Sequence, residues 1–186
     1  MGIVTNKLNR SFSEFIERQK LFFVATAAAQ GRVNLSPKGL DCLRVINNKQ
    51  IVWLSVSGSG NETSAHINKH PRMTLMFCAF EGEPLILRVY GSAKVYYPRH
   101  DGWQDYLNIF PEYAGARSIY RLDIEQVTTS CGTGVPEMTL LSTRAERDLL
   151  PWYDNLGPAR VEEFWRKKNV RSIDGYPTGI FEDVER

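Results

Sequence analysis

A segment rich in glycine and serine offers the clearest chemistry in the sequence. Residues 56–66, VSGSGNETSAH, join an apolar run to a short helical pattern. Glycine lets the backbone approach an anion closely, and the start of a helix offers free amides. The pattern predicts an anion-binding loop, although an ordinary polar turn with a helix cap has the same composition. We call residues 57–63 the glycine loop; its candidate binding residues are Ser57, Gly58, Ser59, Asn61, Glu62 and Thr63.

A second polar cluster, NLSPKG over residues 34–39, ends another predicted strand. Proline fixes the backbone next to Lys38, so this lysine lies at a defined turn, where its ammonium can bind a phosphate group or a ring system. A solvated surface lysine is the ordinary alternative. The candidates in this cluster are Asn34, Ser36, Pro37 and Lys38.

Other familiar site patterns are absent from the sequence. It contains no GxxxxGK followed by Ser or Thr, no GxGxxG that opens a helix, no GxSxG and no HExxH. These absences disfavour nucleoside triphosphates, NAD, hydrolase chemistry and a metal centre. The three cysteines form no CxxC pair, so we expect reduced thiols rather than a disulfide framework.

Length and composition fit one folded unit. The 186 residues are 42% hydrophobic and 24% charged, and no stretch approaches the length of a membrane span. The net charge of +2 comes from basic and acidic residues mixed along the chain, which gives no indication of nucleic acid binding. The first residues lack the apolar stretch of a secretory signal, so we expect a cytoplasmic protein. We predict one domain over residues 1–186, with a helical or loop extension from about residue 141.

The elements that must position these candidates are mostly strands. SFSE at residues 11–14 matches a capping box and predicts a helix start. Two further helical patterns follow Pro98 and Pro158, and residues 141–160 form either a loop or a third helix. Short polar links predict antiparallel pairing, which favours a barrel with flanking helices, a mainly-β α+β fold. Apolar and alternating runs predict strands at 22–28, 33–35, 43–46, 51–56, 73–80, 85–97 and 119–130.

Three segments together resemble the FMN-binding core of the pyridoxamine 5'-phosphate oxidase-like family. They are VNLSPKG, WLSVSGSGNETSAHINKHPRMTLMF and LILRVYGSAKVYY. TTSCGTGVP at residues 128–136 and the later KNVRSIDGYP resemble the end of an uncharacterised branch of the family. The resemblance implies an antiparallel Greek-key split β-barrel that forms a homodimer, with FMN lying across the two subunits. It implies that the glycine loop and residues 34–38 hold the ribityl chain and phosphate.

The sequence also departs from the family pattern. The B6 oxidase has an Arg-Lys pair where this chain has Glu62 and Thr63, so phosphate affinity would fall unless Arg88 or Arg32 compensates. EFW at residues 163–165 and Arg171 match a C-terminal substrate segment in part. Ile173 and Gly175 replace its histidine and last arginine. Recognition of a B6 phosphate is therefore not expected, and Phe164 and Trp165 are equally explained by core packing.

The resemblance favours an FMN-dependent oxidoreductase that acts on an unidentified small substrate. The flavin would supply the redox chemistry, and the chain would supply position and electrostatics. The proposed ring neighbours are residues 36–38, Arg88 and the Cys131–Gly132 turn, contributed by either subunit. Two alternatives stay open: a non-catalytic module that carries flavin or haem, and a reductase that uses the deazaflavin F420 in place of FMN.

Overall fold

The strands form one antiparallel sheet, described for residues 2–184 by a computed structural model. Hydrogen bonds run along the path β3-β2-β6-β7-β8-β5-β4, and β1 pairs with β8 beside this path. The strands are β1 (Val4–Thr5), β2 (Phe22–Thr26), β3 (Asn34–Lys38), β4 (Leu43–Asn47), β5 (Gln50–Val56), β6 (Arg72–Cys78), β7 (Ile86–Tyr96) and β8 (Ala116–Ser130).

Five α-helices flank this sheet within the same part of the chain. They are α1 (Arg10–Arg18), α2 (Glu62–Lys69), α3 (Trp103–Leu107), α4 (Leu150–Leu156) and α5 (Pro158–Lys168). A π-helical turn, Ala145–Leu149, leads into α4. Residues 145–156 of the segment predicted as loop or helix are therefore helical. None of the helices in residues 2–184 has the length and apolar character to cross a bilayer.

The predicted fold class is confirmed: a mainly antiparallel β structure of the split-barrel type with flanking helices. A strand is present at each of the seven predicted positions, and the short β1 was not predicted. The predicted turn at Lys38 is wrong, because β3 continues through Pro37 to Lys38, where it pairs with β2. Strands β3 and β4 lie at the two ends of the path and do not pair with each other in the described residues. Hydrogen bonding therefore leaves the sheet open, whereas the sequence favoured a closed barrel.

The predicted capping box at the start of α1 is wrong. Asn9 is the cap, because its side-chain oxygen accepts a hydrogen bond of 2.8 Å from the amide of Phe12. Glu14 forms an ion pair with Arg10 instead of reaching back to Ser11. Phe12, Phe15 and Ile16 are all buried, so this helix packs through one apolar face.

The central strands explain where the core lies. Strand β5 runs between β4 and β8, and its residues 51–55 are all buried, so both faces of this strand are covered. Trp53 stacks on Tyr120 of β8 with ring centroids 4.3 Å apart. A register shift at Gly91 bends the long β7–β8 pair, and a Cβ there would overlap the carbonyl of Asp123. This pair lies at the middle of the sheet and joins the β3-β2-β6 side to the β5-β4 side.

Candidate functional site

The two predicted segments meet at one cavity. It has a volume of about 30 Å³ and lies between β3, β5, β8 and the start of α2. We call it the Lys38–Arg117 cavity. Its lining consists of Asn34, Ser36, Lys38, Trp53, Ser55, Gly60, Glu62, Thr63, Arg117 and Tyr120. Five of the sequence candidates that we expected to hold one ligand therefore come together.

The alternation of side chains along β3 selects which candidates reach the cavity. Asn34, Ser36 and Lys38 are two residues apart, so they share one face of the strand. Leu35 and Pro37 point to the other face and are exposed. The structure thus places Pro37, a predicted site residue, outside the cavity lining.

Lys38 brings an unpaired positive charge to the cavity. Its Nζ lies 5.6 Å from the centroid of the Trp53 ring. This ammonium makes no hydrogen bond or ion pair with the residues that the structure describes. Burial, and after it the positive charge of Arg117, lowers the pKa of Lys38 below its ordinary value. The ammonium is therefore held in a position that costs free energy unless an anion compensates it.

Two further donors at the cavity are also without partners. The hydroxyl of Ser36 and the indole N–H of Trp53 are buried, and neither makes a hydrogen bond within residues 2–184. Buried donors in folded proteins are nearly always paired, because an unmade hydrogen bond costs about 1–3 kcal/mol. Three donors around one small cavity fit an anionic ligand that accepts from several directions.

Arg117 supplies the second positive charge, and the sequence analysis missed it. Its side chain is 6% exposed. It donates to the carbonyls of Gly58 at 2.9 Å and Gly60 at 2.8 Å. Arg117 therefore fixes the backbone of the glycine loop while its charge faces the cavity. The sequence carried one signal: a basic residue two positions before the predicted strand at 119–130.

The two arginines expected to compensate for Glu62 and Thr63 lie elsewhere in the protomer. Arg32 forms an ion pair with Asp174 of the C-terminal segment. Arg88 donates to the hydroxyl of Ser130 at 3.0 Å, at the far end of β7 and β8. Neither lines the Lys38–Arg117 cavity, whose basic residues are Lys38 and Arg117.

Two glycine-loop candidates are engaged with the C-terminal helices. The hydroxyl of Ser57 donates to Gly115 at 2.9 Å and accepts from the indole of Trp165 at 2.6 Å. The amide of Asn61 donates to the carbonyls of Lys168 at 2.6 Å and Arg171 at 3.1 Å. These contacts hold the glycine loop against α5 and the residues after it. Trp165 thus contacts the loop rather than serving only as core.

The other candidates in the glycine loop differ in the hydrogen bonds that they form. Glu62 accepts from the amides of Asn61 at 3.0 Å and Ile173 at 3.1 Å, which orients its carboxylate towards backbone donors. Thr63 accepts from Asn34 at 3.1 Å, so its own hydroxyl proton is free to donate. Gly58 contributes its carbonyl to Arg117, and Ser59 does not line the cavity.

The Cys131–Gly132 turn lies beside Ser130, away from this cavity. Gly132 has a φ of +74°, and a Cβ there would lie 2.7 Å from the amide nitrogen of Leu85. Packing on this backbone is enough to require glycine. Cys131 is exposed, and a hydrogen bond from the Thr133 hydroxyl lowers the pKa of its thiol. Arg88, Cys131 and Gly132 are therefore not brought to the cavity within one protomer.

The fold and the site define a split-barrel protein with a small cavity, lined by Lys38 and Arg117, at the start of a helix. A family model described as pyridoxamine 5'-phosphate oxidase matches residues 8–131. The chain is 31% identical over 194 residues to the pyridoxamine 5'-phosphate oxidase family protein ustO of Aspergillus flavus, and the match covers 95% of this chain and 78% of that protein. The chain therefore belongs to the pyridoxamine 5'-phosphate oxidase family.

Two solved structures are similar in fold. A pyridoxamine 5'-phosphate oxidase-like protein from Lactobacillus delbrueckii matches with a TM-score of 0.53 and 21% identity, over 66% of this chain and 94% of that one. HupZ of Group A Streptococcus matches with a TM-score of 0.51 and 18% identity, over 64% of this chain and 91% of that one. At these identities the likeness supports the architecture alone.

Proposed function

We propose that this protein is an FMN-binding flavoprotein and that the Lys38–Arg117 cavity holds the FMN phosphate. The observation that carries the proposal is the group of unpartnered donors on Ser36, Lys38 and Trp53 beside the buried Arg117. A phosphate dianion accepts several hydrogen bonds and offsets both positive charges. Family membership supports the same ligand.

Each cavity residue then has a distinct part in binding. Lys38 and Ser36 donate directly to phosphate oxygens, and Thr63 adds its hydroxyl proton. The first-turn amides of α2, which has no side-chain cap, face the same anion. Arg117 keeps the glycine-loop carbonyls turned towards itself and supplies charge. Ser57 and Asn61 act indirectly, because they fix the loop to the C-terminal helices.

The proposal includes a homodimer with the flavin across its interface. A cavity of about 30 Å³ has room for a small group and cannot enclose an isoalloxazine ring. The ring must therefore lie on the open side, where a second subunit would complete its walls. Arg88, Cys131 and Gly132 lie at the other end of the sheet and are the residues that we assign to the partner's side of the ring. Each subunit is then one domain extended by the C-terminal helices.

We propose oxidoreductase activity on a small substrate in the cytoplasm. When bound, FMN supplies hydride or single-electron transfer. The residues of this chain bind and orient the cofactor, and the positive charge of Lys38 and Arg117 holds its phosphate end. The family's Arg-Lys pair is replaced here by Glu62 and Thr63, so the proposal does not extend to a B6 phosphate as substrate.

A cofactor titration tests the proposal. Purified protein would be stripped of small molecules and titrated with FMN and with riboflavin, with flavin fluorescence and visible absorbance as readouts. We expect tight binding of FMN and weaker binding of riboflavin, because riboflavin lacks the phosphate. Failure to bind FMN at saturating concentration, with binding of F420 or haem instead, would refute the assignment.

Light scattering and a redox assay complete the test. We expect a dimer, and a monomer that binds FMN with full affinity would contradict the shared site. Anaerobic reduction followed by exposure to oxygen or another acceptor would reveal turnover. Tight FMN binding without reduction by any offered donor would favour the carrier alternative over the oxidoreductase.

A further inference from the structure

A second and larger groove lies at the opposite end of α2 from the Lys38–Arg117 cavity. It has a volume of about 490 Å³, within the range of small-molecule sites. The end of β7, the last turn of α2 and the C-terminal tail form its walls. Its lining includes Asn68, Tyr97, Arg99, His100 and Asp183. We call it the Arg99 groove.

The carboxylate of Asp183 occupies this groove. Arg99 donates to an oxygen of Asp183 at 2.6 Å, and the same oxygen lies 3.1 Å from Nε2 of His100. Nδ1 of His100 accepts from the amide of Tyr97 at 3.3 Å. The proton of the neutral imidazole is therefore on Nε2, where it donates to Asp183. The groove thus presents two donors that converge on one carboxylate oxygen.

The seated carboxylate is weakly held. The side chain of Asp183 is 86% exposed, whereas those of Arg99 and His100 are 30% and 24% exposed. Exposed ion pairs contribute little, because water and salt compete for both partners. A carboxylate from outside can compete for the same two donors.

The C-terminal segment can move Asp183 out of the groove while Thr178 and Ile180 stay in place. Thr178 is 2% exposed, and its carbonyl accepts from the hydroxyl of Tyr97 at 2.5 Å and from Asn68 at 2.7 Å. Ile180 is also buried, and its carbonyl accepts from Arg99 at 2.8 Å. Only the short segment that bears Asp183 needs to move for the site to open.

We propose that the Arg99 groove is a second ligand site, for a small organic carboxylate that replaces the Asp183 carboxylate between Arg99 and His100. Its apolar body lies along Ile67 and Val95, which also line the groove. The Asp183 carboxylate then competes with the ligand for Arg99 and His100, so a stronger Asp183 ion pair lowers the affinity for the free ligand. This site is distinct from the proposed flavin cavity and does not depend on the cofactor assignment.

Benzoate is the probe, with neutral benzamide and inorganic phosphate as comparisons. Binding is followed by calorimetry and by the ring NMR signals of His100 in the full-length protein with its cofactor state unchanged. We expect Asp183→Asn to bind benzoate about two- to fivefold more tightly than the wild type, since an exposed ion pair is removed. Asp101→Asn is the matched control, because Asp101 lines the same groove and forms no ion pair with Arg99 or His100 in the described residues, and this variant should bind benzoate as the wild type does.

Removal of the Arg99 guanidinium tests for the opposite change, a loss of benzoate affinity. Arg99→Gln should weaken benzoate binding about tenfold or more, and Arg99→Lys should recover part of it. Circular dichroism verifies that these variants fold, and the flavin spectrum should stay constant throughout. Equal benzoate affinity in the wild type and Asp183→Asn would overturn the proposal. So would full binding by Arg99→Gln, or benzamide or phosphate that binds as tightly as benzoate.

Discussion

Replacement of Lys38 by methionine separates the phosphate role from a structural one. Methionine keeps most of the length of the side chain and removes its charge. The side chain of Lys38 makes no hydrogen bond within the described residues, and burial lowers its pKa, so the folded protein carries this ammonium at a cost. We therefore expect Lys38→Met to raise the free energy of unfolding of the flavin-free protein by about 0.5–2 kcal/mol.

The same substitution should weaken FMN binding. A charge-assisted hydrogen bond contributes about 1.5–3 kcal/mol, so the dissociation constant should rise roughly 10- to 150-fold. Riboflavin, which lacks the phosphate, should bind the variant as well as it binds the wild type. Fluorescence titration gives the affinities, and urea unfolding followed by circular dichroism gives the stability.

The matched control is Lys7→Met, because Lys7 is exposed and lies outside the cavity. Lys7→Met should change neither the free energy of unfolding nor the affinity for FMN. The reasoning fails if Lys38→Met destabilises the flavin-free protein while FMN affinity stays constant. It fails equally if riboflavin and FMN lose affinity by the same factor, since the contact would then be to the ring.

Three further predictions use the same assays. Because burial lowers the pKa of Lys38 below 10.5, FMN affinity should fall as pH rises through that lowered pKa. The free energy of unfolding of the flavin-free protein should rise over the same pH interval, and an FMN affinity that stays unchanged up to pH 10.5 would contradict the prediction. Gly60→Ala should leave stability within about 0.5 kcal/mol of the wild type, since its Cβ meets only Glu62 at 3.8 Å, and should weaken FMN binding, whereas Gly132→Ala should cost about 1–3 kcal/mol. Mass-mapped alkylation should label exposed Cys131 first and Cys42 last, because burial raises the pKa of Cys42 to about 12, and early labelling of Cys42 would count against its placement in the core.

Local patterns were enough to predict the sheet and half of the site. The continuous apolar run of β5 is a local signal, and this strand formed where it was predicted, whereas β3 runs from Asn34 to Lys38 instead of over residues 33–35. Asn34, Ser36 and Lys38 share a face because side chains alternate along any strand. The glycine loop was recognisable because glycine, serine and a helix start coincide within a few residues. The cap of α1 was misassigned since Asn9 and Ser11 are both good caps, and only packing decides between them.

Contacts between residues distant in sequence decided the rest. Arg117 lies more than fifty residues after the glycine loop, and the pairing of β5 with β8 alone brings its guanidinium to Gly58 and Gly60. Contacts with α5 engage Ser57 and Asn61, which were predicted as ligand donors, in hydrogen bonds to Trp165 and Lys168. The sequence by itself determined the fold class and which two segments would contribute to the site, because backbone periodicity and glycine content are local properties. Only the tertiary structure decided which donors remain free in the cavity, because each hydrogen-bonding group is claimed by whichever partner the folded chain brings within reach.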